Sequence, residues 1–173
     1  YYDGKGVGQD YAEAVKWYRL AAEQRDADAQ TNLGRCYYDG KGVGQDYAEA
    51  VKWYKLAAEQ GHADALWLLG LCYHDGKGVP QDKFNKYHAI RWFEKAAERG
   101  HVDAQLLVGK DKFQRKEYSD AVKWFKLAAE QGNAGAQFGL GSCYCYGHGV
   151  RQDYAEAFKW FKLAAEQGYA DKD

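Results

Sequence analysis

The sequence predicts an all-α fold in which short helical hairpins repeat along the chain. Three observations support this prediction: a tryptophan recurs at intervals of 32 to 39 residues, nearly the same phrase surrounds each copy, and a glycine-rich loop precedes four of the five copies. The recurring tryptophans are Trp17, Trp53, Trp92, Trp124 and Trp160. Such a period is typical of solenoids, where each hairpin buries its apolar face only by stacking on its neighbours.

The second helix of each repeat is predicted from the tryptophan phrase, as in residues 47–60. Its apolar residues recur at i, i+3, i+4 and i+7 and so share one helix face: Ala50, Trp53, Tyr54 and Ala57. Asp46, with Glu49 three residues later, forms a capping-box pattern at the start. Gly61 suits the left-handed conformation that ends a helix. The first repeat has Arg25 at this place, which we expect to cost some strain.

The first helix of each repeat is predicted over residues such as 28–38. One face carries Ala29, Leu33, Cys36 and Tyr37. A glycine recurs in the middle of this helix, at Gly34, Gly70, Gly109 and Gly141. We expect this glycine to let the second helix approach closely, although a mid-helix glycine costs about 1 kcal/mol relative to alanine.

The residues from 29 to 61 resemble the Sel-one-like repeat family, which is related to tetratricopeptide repeats. The matching positions are Ala29, Leu33, Gly34, Tyr37, Gly40, Gly42, Val43, Asp46, Ala50, Trp53, Ala57, Ala58 and Gly61. The resemblance extends over essentially the whole chain. It implies a right-handed α/α superhelix of about 4.5 hairpin repeats, with the first helices lining a concave face that serves as an adaptor in multiprotein assemblies.

The whole chain, residues 1–173, is predicted to be a single repeat array. Its segments are a partial repeat at 1–26, repeats at 27–62, 63–101, 102–133 and 134–169, and the start of a further repeat at 170–173. Two repeats depart from the standard length. Residues 83–88 include an insertion, and residues 110–118 replace the glycine loop with a more direct connection.

Composition and charge exclude several classes of partner. Lys and Arg total 24 and Asp and Glu total 25. Because nucleic acid and anionic membranes both attract a basic surface, we expect neither as the main partner. No apolar run reaches the ~18 residues that a membrane-spanning helix needs. The first residues show no basic segment followed by an apolar stretch, so we expect no secretory signal in them.

The sequence predicts no catalytic residue, no metal site and no cofactor. Gly4-Lys5-Gly6 and its copies lack the spacing of a phosphate-binding loop and are interpreted as structural turns. Cys143, Cys145 and His148 form a C-x-C-x-x-H triplet that lacks a fourth ligand. No histidine has a partner at an interpretable spacing, and a repeat array rarely offers an enclosed pocket.

Three cysteines occupy the same helical position in different repeats: Cys36, Cys72 and Cys143. Repeats stack at ~9 Å, which is too far for a disulfide. We therefore expect reduced thiols that act as small buried hydrophobes, which favours a reducing compartment. The resemblance implies a further point, since some relatives join each hairpin by a cysteine pair at the positions of Ala57 and Ala58.

A partner-binding groove is hypothesised on the concave face. One first-helix position carries Thr31, Trp67, Leu106 and Phe138 along the stack. The groove would consist of Trp67, Leu71, Leu106 and Phe138, with a polar rim of Arg35, His74 and Lys110 and with Tyr38 as a further lining position. Buried aromatic anchors commonly dominate interface energy. Alternatively, the phrase ALWLLGLCY is a helix buried on all sides.

Protein–protein interaction is the predicted function, as a scaffold that binds a peptide or helix of another protein. The alternative is a structural spacer or an end-to-end assembly module, because the hairpin faces around Trp17 and Trp160 lack neighbours in this sequence. An enzyme or a metal-binding protein is the third and least favoured class.

Overall fold

The computed structural model describes residues 10–169, and within them it contains nine α-helices and no strand. The helices are α1 Tyr11–Glu23, α2 Ala27–Asp39, α3 Tyr47–Glu59, α4 Ala63–Asp75, α5 Asn85–Glu98, α6 Val102–Gln114, α7 Tyr118–Glu130, α8 Ala134–Tyr146 and α9 Tyr154–Glu166. Four hairpins form by the packing of α2 on α3, α4 on α5, α6 on α7 and α8 on α9. The prediction of an all-α hairpin-repeat solenoid is confirmed.

The chain divides into two compact units, residues 1–99 and 100–173. The first unit contains α1 to α5, and its buried side chains include Leu33, Tyr54, Leu69 and the thiols Cys36 and Cys72. The second unit contains α6 to α9 and is built around Phe125, Leu140 and Cys143. In both units the core lies between the two helices of each hairpin and is completed by the neighbouring repeat.

The repeated tryptophan joins one repeat to the next. Trp53 of α3 packs against the core cluster that α1 and α2 build, and Trp92 of α5 packs against the cluster around Tyr54. Trp17 of α1 is 56% exposed. The tryptophan phrase therefore encodes stacking between repeats as well as packing within a hairpin.

Close approach of the two helices at the mid-helix glycines is confirmed. In each hairpin an aromatic ring of the second helix covers the glycine: Tyr54 covers Gly34, Phe93 covers Gly70, Phe125 covers Gly109 and Phe161 covers Gly141. A Cβ atom added at Gly34 would lie 2.5 Å from Cε1 of Tyr54. The glycine and the aromatic residue after the tryptophan thus form one packing unit.

The glycine loops lie on the preceding repeat. Gly42 and Gly78 have φ values of 73° and 67°, so they occupy the left-handed region. A Cβ atom at these glycines would lie 2.3 Å and 2.0 Å from the carbonyl oxygens of Tyr11 and Tyr47, which begin the second helix of the repeat before. The interpretation of these loops as structural turns is confirmed, and Gly4-Lys5-Gly6 lies outside the described residues.

Helix ends follow the predicted signals where those signals are present. The carboxylate of Asp46 accepts a hydrogen bond from the backbone N–H of Glu49 at 2.9 Å, an interaction worth about 1 kcal/mol. Gly61 is left-handed at φ 78°, and Arg25 adopts the same conformation at φ 67° without being glycine. The helices α5 and α7 have no side-chain cap, and they belong to the two repeats of non-standard length.

The two irregular repeats differ from the rest in their connections. In the fourth repeat, α6 continues to Gln114, so Lys110 is helical rather than part of the connection. Lys116 then turns the chain at φ 64°. No helix within residues 10–169 is long and apolar enough to cross a membrane.

Candidate functional site

First helices of consecutive repeats lie side by side in the first unit. Arg35 on α2 donates from Nη2 to Oδ2 of Asp64 on α4 at 3.1 Å, and both side chains stay about half exposed. Trp67, Leu71 and His74 follow Asp64 at three-, seven- and ten-residue spacing, which keeps them on the same side of α4. We call Arg35, Tyr38, Trp67, Leu71 and His74 the unit 1 surface.

The apolar centre of the unit 1 surface is half-buried. The Trp67 indole lies 4.8 Å from the Phe93 ring, centroid to centroid, and both Trp67 and Leu71 keep part of their surface exposed. On its other side, α4 places Leu69 and Cys72 in the core. The alternative interpretation of this segment as a helix buried on all sides is therefore wrong, because α4 has a packed side and a partly open one.

The polar members of the unit 1 surface have different surroundings. His74 is exposed and hydrogen-bonds through Nδ1 to Asp75 at 2.9 Å. Tyr38 accepts a hydrogen bond from Nζ of Lys77 at 3.0 Å, and its ring packs edge-on against Tyr47 at 5.0 Å. Tyr38 thus stabilises the contact between two repeats, whereas His74 faces solvent.

Thr31 does not line an exposed surface. The prediction that this first-helix position faces the groove along the whole stack is therefore wrong at Thr31. Its side chain is 2% exposed, its hydroxyl donates to the carbonyl oxygen of Ala27 at 2.8 Å, and Nδ1 of His62 lies 3.1 Å away. The Thr31 side chain is short, and His62, the N-cap residue of α4, covers it. The larger Trp67 at the equivalent position of the next repeat keeps part of its ring exposed.

The second unit holds the remaining predicted residues. Leu106 is half-buried, and its Cδ2 lies 3.2 Å from where a Cβ atom at Gly135 of α8 would stand. Lys110 is exposed, and the half-buried Phe138 contacts Phe161 at a centroid distance of 5.2 Å. We call Leu106, Lys110 and Phe138 the unit 2 surface. The eight predicted residues therefore fall into two sets, one in each compact unit.

Sequence reasoning missed the residues that cap the first helices. Nδ1 of His62 accepts the backbone N–H of Ala65 at 3.3 Å, so the proton is on Nε2, which donates to Oδ1 of Asp28 at 2.8 Å. The same position caps every first helix and is occupied by Asp26, His62, His101 and Asn133. The signal that could have found them is their place three residues before an alanine that recurs in the first turn of each first helix: Ala29, Ala65, Ala104 and Ala136.

The cysteines are small buried hydrophobes, as the sequence predicts. Cys36, Cys72 and Cys143 are buried and unpaired. Burial raises the pKa of the Cys72 thiol to about 12 and the pKa of the Cys143 thiol to about 11, so both stay protonated at neutral pH. Within the part of the chain that the structure describes, no group of three or more His, Cys, Asp or Glu residues could hold a metal ion.

His148, the third member of the C-x-C-x-x-H triplet, belongs to an aromatic cluster. Its ring stacks on Tyr118 at 4.5 Å and 11°, and Phe113 lies 5.5 Å away. This is the loop position that Lys77 holds in the third repeat, where the cation covers Tyr47 at 5.4 Å. The histidine thus takes part in stacking between repeats.

Comparison with known families agrees with this geometry. A family model described as Sel1 repeat matches residues 1–26, 27–62, 63–101, 103–133 and 134–169. The chain belongs to the Sel1 repeat family. Members of this family commonly act as protein-interaction scaffolds, and their fold is typically non-enzymatic. No curated protein matches the chain.

Solved Sel1 repeat structures resemble the chain closely. A protective antigen of uropathogenic Escherichia coli with an SLR fold is 39% identical, covers 97% of this chain and superposes with a TM-score of 0.82. A Sel1 repeat protein from Oxalobacter formigenes is 36% identical over 95% of the chain, with a TM-score of 0.87. The chain spans only 36% and 48% of their respective lengths. An immunity protein from Pseudomonas aeruginosa, 24% identical over 94% of this chain and 61% of its own, shares the fold with a TM-score of 0.60.

Proposed function

We propose that this Sel1 repeat chain is a protein-interaction scaffold whose unit 1 surface binds a peptide or helix of a partner protein. The observation that carries the proposal is the pairing of Trp67 and Leu71, half-buried on one side of α4. A large aromatic side chain held by packing loses little conformational freedom when a partner covers it, which is why such residues often dominate interface energy.

The polar rim of the unit 1 surface favours one orientation of the bound partner. The Arg35–Asp64 ion pair is partly exposed, and the exposed His74 lies ten residues further along α4. These groups offer hydrogen bonds at two ends of an apolar strip, as is usual for an interface with an apolar centre and a polar rim. In the second unit, Leu106, Lys110 and Phe138 offer a smaller surface with the same composition, and we propose it as a further contact for protein partners.

Leu71→Glu is expected to abolish binding of peptides selected on the wild-type chain. A carboxylate placed beside Trp67 must lose water when the partner covers it, so affinity should fall about a hundredfold. The measurement is phage-display selection of peptides on the wild-type chain, followed by titration of the synthetic peptides into each variant by calorimetry.

Leu56→Glu is the matched control for this titration. Leu56 is 42% exposed and lies on the second helix α3 of the same unit, whereas the residues of the unit 1 surface lie on the first helices α2 and α4. The Leu56→Glu variant should bind the selected peptides as the wild-type chain does. The proposal fails if selection yields no binders, or if Leu71→Glu and Leu56→Glu weaken binding equally.

Homotypic assembly is a second candidate function, favoured by exposed aromatic side chains on α9. Phe158 is 69% exposed and Tyr154 is 67% exposed, whereas Val15 and Val51, at the position of Phe158 in earlier repeats, are 5% and 3% exposed. In those repeats the following hairpin covers the valine. We propose that α1 of a second copy, which presents Trp17 at 56% exposure, covers α9 in end-to-end association.

Phe158→Glu tests this second candidate. If copies associate through α9, the wild-type chain should grow in mean mass with concentration, and Phe158→Glu should hold it at the monomer mass. Light scattering coupled to size-exclusion chromatography measures this directly. A monomeric wild-type chain at all concentrations would exclude the assembly function and leave the scaffold proposal unaffected.

A further inference from the structure

The insertion in the third repeat gives α5 a charge pattern that no other second helix has. Residues 46–52, at the start of α3, contain two carboxylates and one lysine and so carry a net charge of −1, and the corresponding segments 10–16, 117–123 and 153–159 carry the same net charge. Residues 85–91 contain Lys86 and Arg91 and no carboxylate, which gives +2 with His88 neutral.

The missing carboxylate leaves Arg91 without the ion pair that its counterparts form. Lys52 pairs with Glu49 at 2.7 Å, and the same pair recurs in the other second helices as Lys16–Glu13, Lys123–Asp120 and Lys159–Glu156. In α5 the carboxylate position holds His88. The Arg91 guanidinium instead lies 5.9 Å from the centre of the Tyr87 ring.

Exposed aromatic rings accompany the uncompensated cations. Phe84 is 53% exposed and Tyr87 is 57% exposed. Nζ of Lys83 lies 5.0 Å from the centre of the Phe84 ring. Lys83, Lys86 and Arg91 are all exposed, and none of them forms an ion pair with a described residue. We call Lys83, Phe84, Lys86, Tyr87 and Arg91 the basic patch.

The basic patch is held in a defined conformation by polar contacts beneath it. The carboxylate of Asp82, the one acid in residues 82–91, accepts a hydrogen bond from the backbone N–H of Phe84 at 3.1 Å. Asn85 is buried, and its amide donates to the carbonyl oxygen of Pro80 at 3.0 Å. Asp82 is thus engaged locally, and the cations and rings of the patch face solvent.

We propose that the basic patch is a second docking site, separate from the unit 1 surface, and that it binds an acidic segment of a partner protein. Charge complementarity identifies the partner chemistry, because three unpaired cations on an otherwise near-neutral chain attract carboxylates and steer their approach. Tyr87 and Phe84 offer apolar area to side chains between the acidic residues. A segment that alternates Glu or Asp with apolar residues fits both features.

The test uses a fluorescein-labelled peptide of repeating Glu-Leu-Glu-Ala as the probe, with a twin in which every Glu is Gln. Fluorescence anisotropy with the full chain should show binding of the Glu peptide and not of its twin. The double variant Lys86→Gln, Arg91→Gln should weaken binding at least about tenfold. Added salt should weaken it too, since the contacts are exposed.

Two matched controls separate the patch from general effects of charge and surface aromatics. Lys52→Gln, Lys123→Gln removes two cations at the position equivalent to Arg91 and changes the net charge by the same amount, so binding should be unchanged. Tyr87→Ala should weaken binding, whereas Tyr154→Ala, at a tyrosine that is 67% exposed, should not. Leu71→Glu should also have no effect, which distinguishes failure here from failure of the unit 1 surface.

Three results would overturn the proposal. The first is equal binding of the Glu peptide and its Gln twin, and the second is equal loss in the two double variants. The third is tighter binding of an oligothymidine strand or of phosphatidylserine vesicles than of the Glu peptide, with the same dependence on Lys86 and Arg91. That outcome would assign the patch to a nucleic acid or a membrane surface.

Discussion

Replacing Gly78 by alanine is expected to lower the free energy of unfolding by about 3 kcal/mol, from the sum of backbone strain and overpacking. The φ of Gly78 is +67°, which an alanine adopts only with strain. The added Cβ would also lie 2.0 Å from the carbonyl oxygen of Tyr47, which is backbone of the preceding repeat. Because the backbone of residue 78 fixes the Cβ position and the Tyr47 oxygen is itself a backbone atom, no side-chain rotation relieves the contact.

Alanine substitutions at two other glycines separate the cost of backbone strain from the cost of the close contact. Gly132→Ala places a methyl group at φ +87° with no atom within 4 Å, so it should cost only about 1 kcal/mol of strain. Gly44→Ala meets no atom within 4 Å, and its φ is outside the left-handed region, so stability should stay equal or rise by about 0.5 kcal/mol. Urea unfolding followed by circular dichroism ranks the three. Equal losses for Gly78→Ala and Gly132→Ala would show that the loop does not rest on the preceding repeat.

Gly70→Ala is expected to destabilise the chain by about 2 kcal/mol, although alanine favours a helix over glycine by about 1 kcal/mol. A Cβ atom at Gly70 would lie 2.3 Å from Cε1 of Phe93. That ring is 5% exposed and packed against Trp67, so it can move away only by disturbing the core or the unit 1 surface.

Phe93→Leu supplies the matched rescue. Alone, the smaller side chain should cost about 1–2 kcal/mol by leaving space over Gly70. In the double variant the alanine methyl occupies part of that space, so the combined loss should be smaller than the sum of the two single losses by about 1 kcal/mol or more. Thermal and urea unfolding of the four proteins measure this coupling. Strict additivity would mean that the ring does not pack on the glycine.

Much of the fold could be predicted because its determinants repeat and are local. The apolar spacing in residues 47–60 predicts α3 to within one residue, since the helix ends at Glu59 with Gln60 as its cap. Asp46 and Gly61 act through neighbouring backbone atoms, and such short-range signals are legible in a sequence. The mid-helix glycines could be interpreted because an unfavourable residue that recurs must be offset by packing.

The candidate site was less predictable because it depends on contacts between repeats. The sequence gives no sign that Thr31 is buried beneath His62 while Trp67 is partly exposed, since both outcomes depend on residues about thirty positions away. The burial of glutamine side chains could not be predicted from the sequence either, because it also depends on contacts between helices. Gln30 is 3% exposed, and its amide donates to the carbonyl oxygen of Ala22 at 3.0 Å while its Oε1 accepts from Gln60 at 2.8 Å.

The charge on α5 shows what comparison among repeats adds. Within residues 85–91 alone, two cations and a tyrosine look like an ordinary solvated helix face. Compared with residues 46–52, residues 85–91 lack two carboxylates and carry the exposed Tyr87. The other second helices keep both carboxylates and have no tyrosine at that position. Repeats provide an internal reference, and departures from it are places to look for a specific function.

The scaffold proposal is tested most directly by photo-crosslinking at the unit 1 surface. The chain carries p-benzoylphenylalanine in place of Leu71, or in place of Leu56 as the control, and is irradiated with a biotinylated peptide selected on the wild-type protein. We predict a covalent complex at position 71, with the crosslink mapped by mass spectrometry, and none at position 56. Crosslinking at position 56 alone, or equally at both, would contradict it.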